Sequence, residues 1–197
     1  MFMIIKKIIP FVLIGLGAWS CGQSSDDYVP KPKGFNRIYL PEVSYIQLED
    51  THPYTFEVSR AAIVQPDTFG KAEPHWIVLY YPEINGRIQL TYKPLGGDLN
   101  KLQEHINDAF RLAAKHQVKA TSQEEQLIQL KNGKKAVVIQ LEGEVPSHYQ
   151  FYTTDTLNHF LRGAVYLETA TQNDSLRPII DYLKAESKHL LETLRWK

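Results

Sequence analysis

The sequence predicts an α+β domain, an antiparallel sheet of about six to seven strands in hairpins with two helices packed on one face. Three observations carry this. Runs rich in β-branched and aromatic residues flank two Asn-Gly turns, Asn85-Gly86 and Asn132-Gly133. Two segments repeat apolar residues at helical spacing, one in mid-chain and one at the end. Strand and helix patterns do not alternate regularly, which argues against a doubly wound parallel sheet.

The elements follow in order. The domain is expected to begin near Tyr45, and "YTFEV" (54–58) reads as a strand. "HWIVLYY" (75–81) and "GRIQLTY" (86–92) should pair across Asn85-Gly86. "GGD" (96–98) then breaks the chain, and Asp98 can cap a helix whose apolar positions are Leu99, Leu102, Ile106, Ala109, Phe110 and Ala113. A second hairpin joins "QLIQL" (126–130) to "AVVIQLEG" (136–143), and "YQFYTT" (149–154) with "FLRGAVYLET" (160–169) makes a third strand pair. Asp174 or Ser175 should cap the last helix, with Pro178 in its first turn, where a missing N–H costs little. Its apolar stripe is Leu176, Ile179, Ile180, Leu183, Leu190, Leu191 and Leu194. This order of elements is similar to that of the PsbP/Mog1-like fold, an analogy that fixes no function.

Ahead of the domain the chain changes character. Lys6 and Lys7 precede an apolar run of 11 residues, Ile8 to Ala18. Spanning a bilayer takes about 20 apolar residues, so the run is too short for a permanent span and suits a secretory signal. Ala18, Trp19 and Ser20 then lead into Cys21, the single cysteine. A small residue before a cysteine at the end of such a run looks like a bacterial lipobox, although Trp19 is bulky for that setting. On this reading residues 1–20 are a lipoprotein signal peptide and the thiol of Cys21 carries the lipid. Two other readings stand beside it: an ordinary cysteine in an uncleaved segment, or one near a plain signal cleavage site. Residues 21–44, with Pro30, Pro32 and Pro41, read as a proline-rich tether of semi-rigid extended chain. Asp26 and Asp27 resemble a surface-export signal of the Bacteroidota. Residues 45–197 are left as a single globular domain.

Charge and cysteine count narrow the function. Without residues 1–20 the chain has 20 basic and 22 acidic residues, near −2, and no strong field to attract nucleic acid. One cysteine excludes an intramolecular disulfide framework and a cysteine-based metal site. His52, His75, His105, His116, His148, His159 and His189 show no HExxH or HxH spacing. His105 and His116 share a helix at a separation of about 16 Å, too far for one metal ion. His148 and His159 flank the third hairpin and could approach across it. Ser147 beside His148 lacks a nucleophile elbow, and Glu142, Glu144 and Asp155 could gather at one sheet end. Tyr80, Tyr81, Tyr92, Tyr149, Tyr152 and Tyr166 lie on the expected strands, and alternation divides them between inside and outside. No catalytic residue, metal site or cofactor is assigned.

The segments "PKPKGFNRIYLP", "HPYTFE", "RIQLTYKPL", "LNKL", "QFYTTDTLNHFLRGAVYL" and "DSLRPIIDYLKAESKHLLETLRWK" stand in an order and spacing that resemble the gliding-motility lipoprotein GldD family of the Bacteroidota over nearly the whole chain. The resemblance implies a non-enzymatic accessory or scaffold lipoprotein of the cell envelope, needed for gliding motility and the type IX secretion machinery. It also implies a palmitate-type anchor on Cys21 in the outer membrane, and other gliding and secretion proteins as partners. A small-ligand or lipid-binding lipoprotein, using a pocket between sheet and helices, is the alternative, and an envelope hydrolase a third. Many members of the family carry cysteines at the positions of His52 and His75. If those cysteines pair, the resemblance implies that His52 and His75 are near neighbours, because a disulfide needs Cα atoms within about 7 Å.

Overall fold

The computed structural model describes residues 37–49, 51–168 and 173–197. The expected signal peptide, Cys21, Asp26, Asp27 and most of the expected tether lie outside these residues.

The centre of the fold is a seven-stranded antiparallel sheet. In chain order its strands are β4 (Ile63–Pro66), β5 (Ile77–Tyr81), β6 (Gly86–Pro94), β7 (Ala120–Gln129), β8 (Lys135–Gly143), β9 (Tyr149–Thr154) and β10 (His159–Leu167). In space the order is β4-β5-β6-β10-β9-β8-β7. Two meanders thus meet where β10 pairs with β6, with Gly163 opposite Leu90 and Leu167 opposite Gly86. Helix α1 (Leu99–His116) carries the chain from β6 to the far edge strand β7. Helix α2 (Asn173–Thr193) follows β10. Ahead of the sheet lie β1 (Tyr45–Gln47), β2 (Tyr54–Thr55) and β3 (Glu57–Ser59), and behind α2 lies β11 (Arg195–Trp196). β1 pairs with β3, and β11 pairs with β2.

The two helices cover opposite faces of the sheet, not one face as the sequence suggests. Alternation and register place Ile88, Leu90, Phe151, Leu161 and Val165 on one face, where they form the main core with Ile179, Ile180, Leu183, Leu190 and Leu191 of α2. The other face carries Val137, Tyr152 and Phe160, which pack with Leu102, Ile106, Ala109 and Phe110 of α1. The physical reason lies in β9 and β10. Both are buried almost continuously, without an exposed alternate face. Such strands need cover on both sides, and each large apolar side chain so covered contributes about 1.5–3 kcal/mol.

Local signals set the ends of the elements. Asp98 caps α1, its carboxylate accepting the N–H groups of Asn100 at 2.8 Å and Lys101 at 3.4 Å. Asn85, at φ 46°, closes the first hairpin after a 3-10 turn at Pro82–Ile84, and Gly133, at φ 81°, closes the second. Helix α2 is already formed at Asn173, so Pro178 lies in its second turn, where its missing N–H costs one helical bond. The cap expected at Asp174 or Ser175 therefore falls inside the helix, and the side chain of Asp174 lies outside the described residues. The expected single strand "YTFEV" is broken at Phe56, and its halves pair with different partners. Ile38 packs against the main core and Pro41 is buried, so contact with the core starts before Tyr45.

A buried carboxylate ties this first layer to α2. Glu186 accepts the hydroxyls of Tyr45 at 3.0 Å and Tyr81 at 3.2 Å. Burial pushes its pKa up, and the tyrosine hydrogen bonds oppose that rise.

Candidate functional site

The loop from Asp67 to Trp76 is held in place at the β4 end of the sheet. Asp67 accepts the Phe69 N–H at 3.0 Å and the Gln89 amide at 2.6 Å, and its own N–H donates to the Trp76 carbonyl at 3.0 Å. The Trp76 indole N–H donates to the Tyr92 carbonyl at 2.8 Å. Lys93 lies over the Trp76 ring at 5.1 Å and pairs with Glu73. These bonds fix the backbone at His75, which adopts φ 69°, the left-handed region that non-glycine residues rarely occupy. The Tyr54 hydroxyl donates to the His75 carbonyl at 2.6 Å and secures that geometry.

The result brings His52 and His75 together. Their Nδ1 atoms are 3.3 Å apart and the rings meet edge to face at 5.5 Å. The side-chain neighbourhood implied by the family resemblance is therefore present. Burial lowers the pKa of His52, the neighbouring His75 and Lys197 lower it further, and Glu49 works the other way. A neutral pair can share one N–H between two nitrogens, whereas two protonated rings would face N–H to N–H.

Around the pair stands an aromatic wall. His52 stacks on Tyr54 at 5.3 Å, and Tyr54 touches Tyr92 at 5.6 Å. The Tyr92 hydroxyl is 2.9 Å from His159 Nδ1, and His159 stacks flat on Trp196 at 5.1 Å. Pairing of β11 with β2 brings Trp196 there, and the Lys197 N–H donates to the Pro53 carbonyl at 3.0 Å.

Beside this wall a cavity of about 610 Å³ opens between β4, residues 46–49, 51 and 52, and the 67–76 loop. Leu48, Val58, Val64, Trp76 and Ile77 give it an apolar floor, while His52, His75, Glu49, Asp67 and Glu73 supply the titratable groups. No lysine or arginine is among its lining residues. Such a mostly apolar hollow with a few polar groups suits an apolar side chain or a small amphiphile.

The other sequence candidates land apart. His148 precedes β9 and His159 begins β10, so they sit at opposite ends of the third hairpin. Asp155, in the β9–β10 turn, is likewise at the opposite end from Glu142 and Glu144. It accepts the N–H groups of Leu157, Asn158 and His159, which outweigh the upward push of burial and lower its pKa. His105 and His116 contact Phe160 and Tyr166 separately along α1. Tyr81, Tyr92, Tyr149 and Tyr152 are core residues, while Tyr80 and Tyr166 are half-buried. Among the described residues no group of three or more His, Cys, Asp or Glu is placed to hold a metal ion, and no helix is long and apolar enough to cross a membrane.

A sequence model of the gliding motility lipoprotein GldD family matches residues 25–196. The chain belongs to that family. It is thus an envelope lipoprotein associated with gliding motility, with the membrane association and motility-machinery partners that membership carries. No curated protein matches the chain. Among solved structures, the GldD-family chain is similar to the solution structure of cyanobacterial PsbP (CyanoP) from Synechocystis sp. PCC 6803, at 13% identity and a TM-score of 0.46. That similarity covers 80% of this chain and 95% of the other.

The family resemblance points to His52 and His75 in this GldD-family protein, but the sequence does not join Tyr54, Tyr92, His159 and Trp196 to them. Tyr54 stands two residues from His52, a spacing that allows stacking at a chain bend. No local signal joins the other three, because β6, β10 and β11 come together only through long-range pairing.

Proposed function

We propose that this GldD-family lipoprotein is a non-enzymatic accessory component, anchored in the outer membrane by lipid on Cys21, that supports gliding motility and type IX protein secretion. The observation that carries the reading is the family match, which covers residues 25–196 and so all but the last described residue. On this reading residues 1–20 are removed, residues 21–44 form the tether, and the domain meets other gliding and secretion proteins of the envelope. Stable anchoring requires two or more acyl chains, since one gives only marginal binding. The test is Cys21→Ser in cells, with radioactive palmitate labelling, membrane fractionation, a spreading assay and a count of secreted cargo. Loss of label, release from the membrane and loss of both spreading and secretion are expected. Full function in an unlabelled, released protein would overturn the reading.

The cavity favours a second reading, a small-ligand or lipid-binding lipoprotein. Its apolar floor and the polar edge at His52 and Glu49 support it. Native-state mass spectrometry of the chain extracted from its own membranes would show a bound amphiphile, absent from a Val58→Trp variant that fills the floor.

A further inference from the structure

The sheet has two edges, and the chain treats them differently. At one edge β7 runs for ten residues with Glu124 and Glu125 exposed along it. Charges of that kind block pairing with a foreign strand. At the other edge β4 reads Ile-Val-Gln-Pro, uncharged and exposed at all four positions, with Ile63 at 49% and Val64 at 38%. β5 pairs with β4 on one side, and β4 ends the sheet on the other. Phe69 stands nearby in sequence at 75% exposure, and Ile46, also exposed, lines the cavity. The strand is short and ends in Pro66, which limits pairing, but it carries no charge, and an exposed apolar edge beside a cavity marks an interaction site.

Edge and cavity are one feature. Val64, Gln65 and Pro66 line the cavity. Val64 is registered with Leu79 and so points to the α2 face of the sheet, together with Ile77 on the cavity floor. A strand added along β4 would direct alternate side chains to that face, over the cavity. Asp67 bonds to Trp76, so Ile63 and Gln65 turn their backbone groups to β5, and the free edge offers the N–H and C=O of Val64 and the C=O of Pro66, which has no N–H. The cavity then has to supply much of the affinity. Its charge names the partner's chemistry. Glu73 is paired with Lys93, and Asp67 already holds Gln89 and the Phe69 N–H. Glu49 has no hydrogen-bond or ion-pair partner among the described residues, its charge acts there on His52, and no lysine or arginine lines the cavity.

We propose that β4 and the cavity beside it bind an extended segment of a partner protein, which adds as a strand along β4, inserts one large apolar side chain, and sets a lysine or arginine against Glu49. The proposal stands apart from the motility reading: binding is measured on the purified chain, and motility and secretion in cells, so either can fail alone.

The test uses the full chain in lipid nanodiscs and fluorescent eight-residue peptides that alternate valine and lysine around one central Phe, Trp or Leu. Matched peptides carry N-methylated alternate amides, or glutamate in place of lysine. Binding of the basic peptides is expected, weakened about tenfold or more by N-methylation, by glutamate, by Val64→Lys and by Glu49→Gln. Both substituted residues are exposed, so an unchanged melting temperature should accompany the loss. Three results would overturn the proposal. No basic peptide binds at millimolar concentration. N-methylated peptides bind as well as the parents, which would make the cavity a small-amphiphile site. Or the chain sediments as a dimer that Val64→Lys splits, which would make a second copy the occupant of β4.

Discussion

Gly163 tests the central register of the sheet. It lies in β10 directly opposite Phe151 of β9, and the Phe151 ring is fully buried over it. A Cβ added at Gly163 would sit 2.6 Å from Phe151 Cε2 and closer still to Cζ and Cε1. The ring is hemmed in by the α2 core, so it has no free space to enter. Overpacking costs about 1–3 kcal/mol, and an overlap this deep belongs at the upper end. Replacing glycine in a strand returns about 0.5–1 kcal/mol. Gly163→Ala should therefore destabilise by about 2 kcal/mol, a fall in Tm of about 4–8 °C for a domain of this size. Calorimetry and urea unfolding on the full chain would measure it. Gly163→Ala with Phe151→Leu should recover part of the loss, because the smaller side chain vacates the overlap. Gly86 is the internal control. There an added Cβ would meet Leu183 Cδ1 at 2.7 Å, the movable end of a flexible side chain, and Gly86→Ala should cost less. A neutral Gly163→Ala, or a larger loss at Gly86, would refute the β9–β10 pairing and the packing built on it.

Two further outcomes follow from the candidate site. Tyr54→Phe removes the hydroxyl that holds the part-buried His75 carbonyl and should cost about 1 kcal/mol in urea unfolding; no change would mean that His75 keeps its left-handed backbone without it. Burial lowers the pKa of His52, His105 and His116, so in the folded state they bind fewer protons than the unfolded chain just below pH about 6.5. Stability should fall as pH drops from about 7 to about 5, and His52→Gln should make the fall shallower; parallel pH–stability curves would refute a role for His52. Glu186, with its pKa raised, has the opposite sign, its contribution being lost as pH rises through its folded value.

How far the sequence could be read depended on the range of each interaction. The two Asn-Gly hairpins, the Asp98 cap and the apolar stripes of α1 and α2 are written over a few neighbouring residues and are present, except that Leu194 falls just past the end of α2. Leu99 shows the limit even there: it fits the α1 stripe by spacing, yet lies 68% exposed at the helix start, beyond the reach of Tyr152 and Phe160. Strand β4 escaped because four exposed residues ending in proline carry no alternation of burial to detect.

Periodicity and turn chemistry by themselves determined which residues form hairpins and helices, since backbone hydrogen bonds and side-chain spacing act within a turn or two of chain. Tertiary structure alone decided that β10 joins β6, that α1 and α2 cover opposite faces, and that Tyr92, His159 and Trp196 join His52, Tyr54 and His75 at one corner. Those outcomes depend on the strands β9 and β10 requiring cover on both faces and on the closure of loops dozens of residues long. Such a choice is made by the total apolar surface removed from water, a quantity that no short stretch of sequence contains.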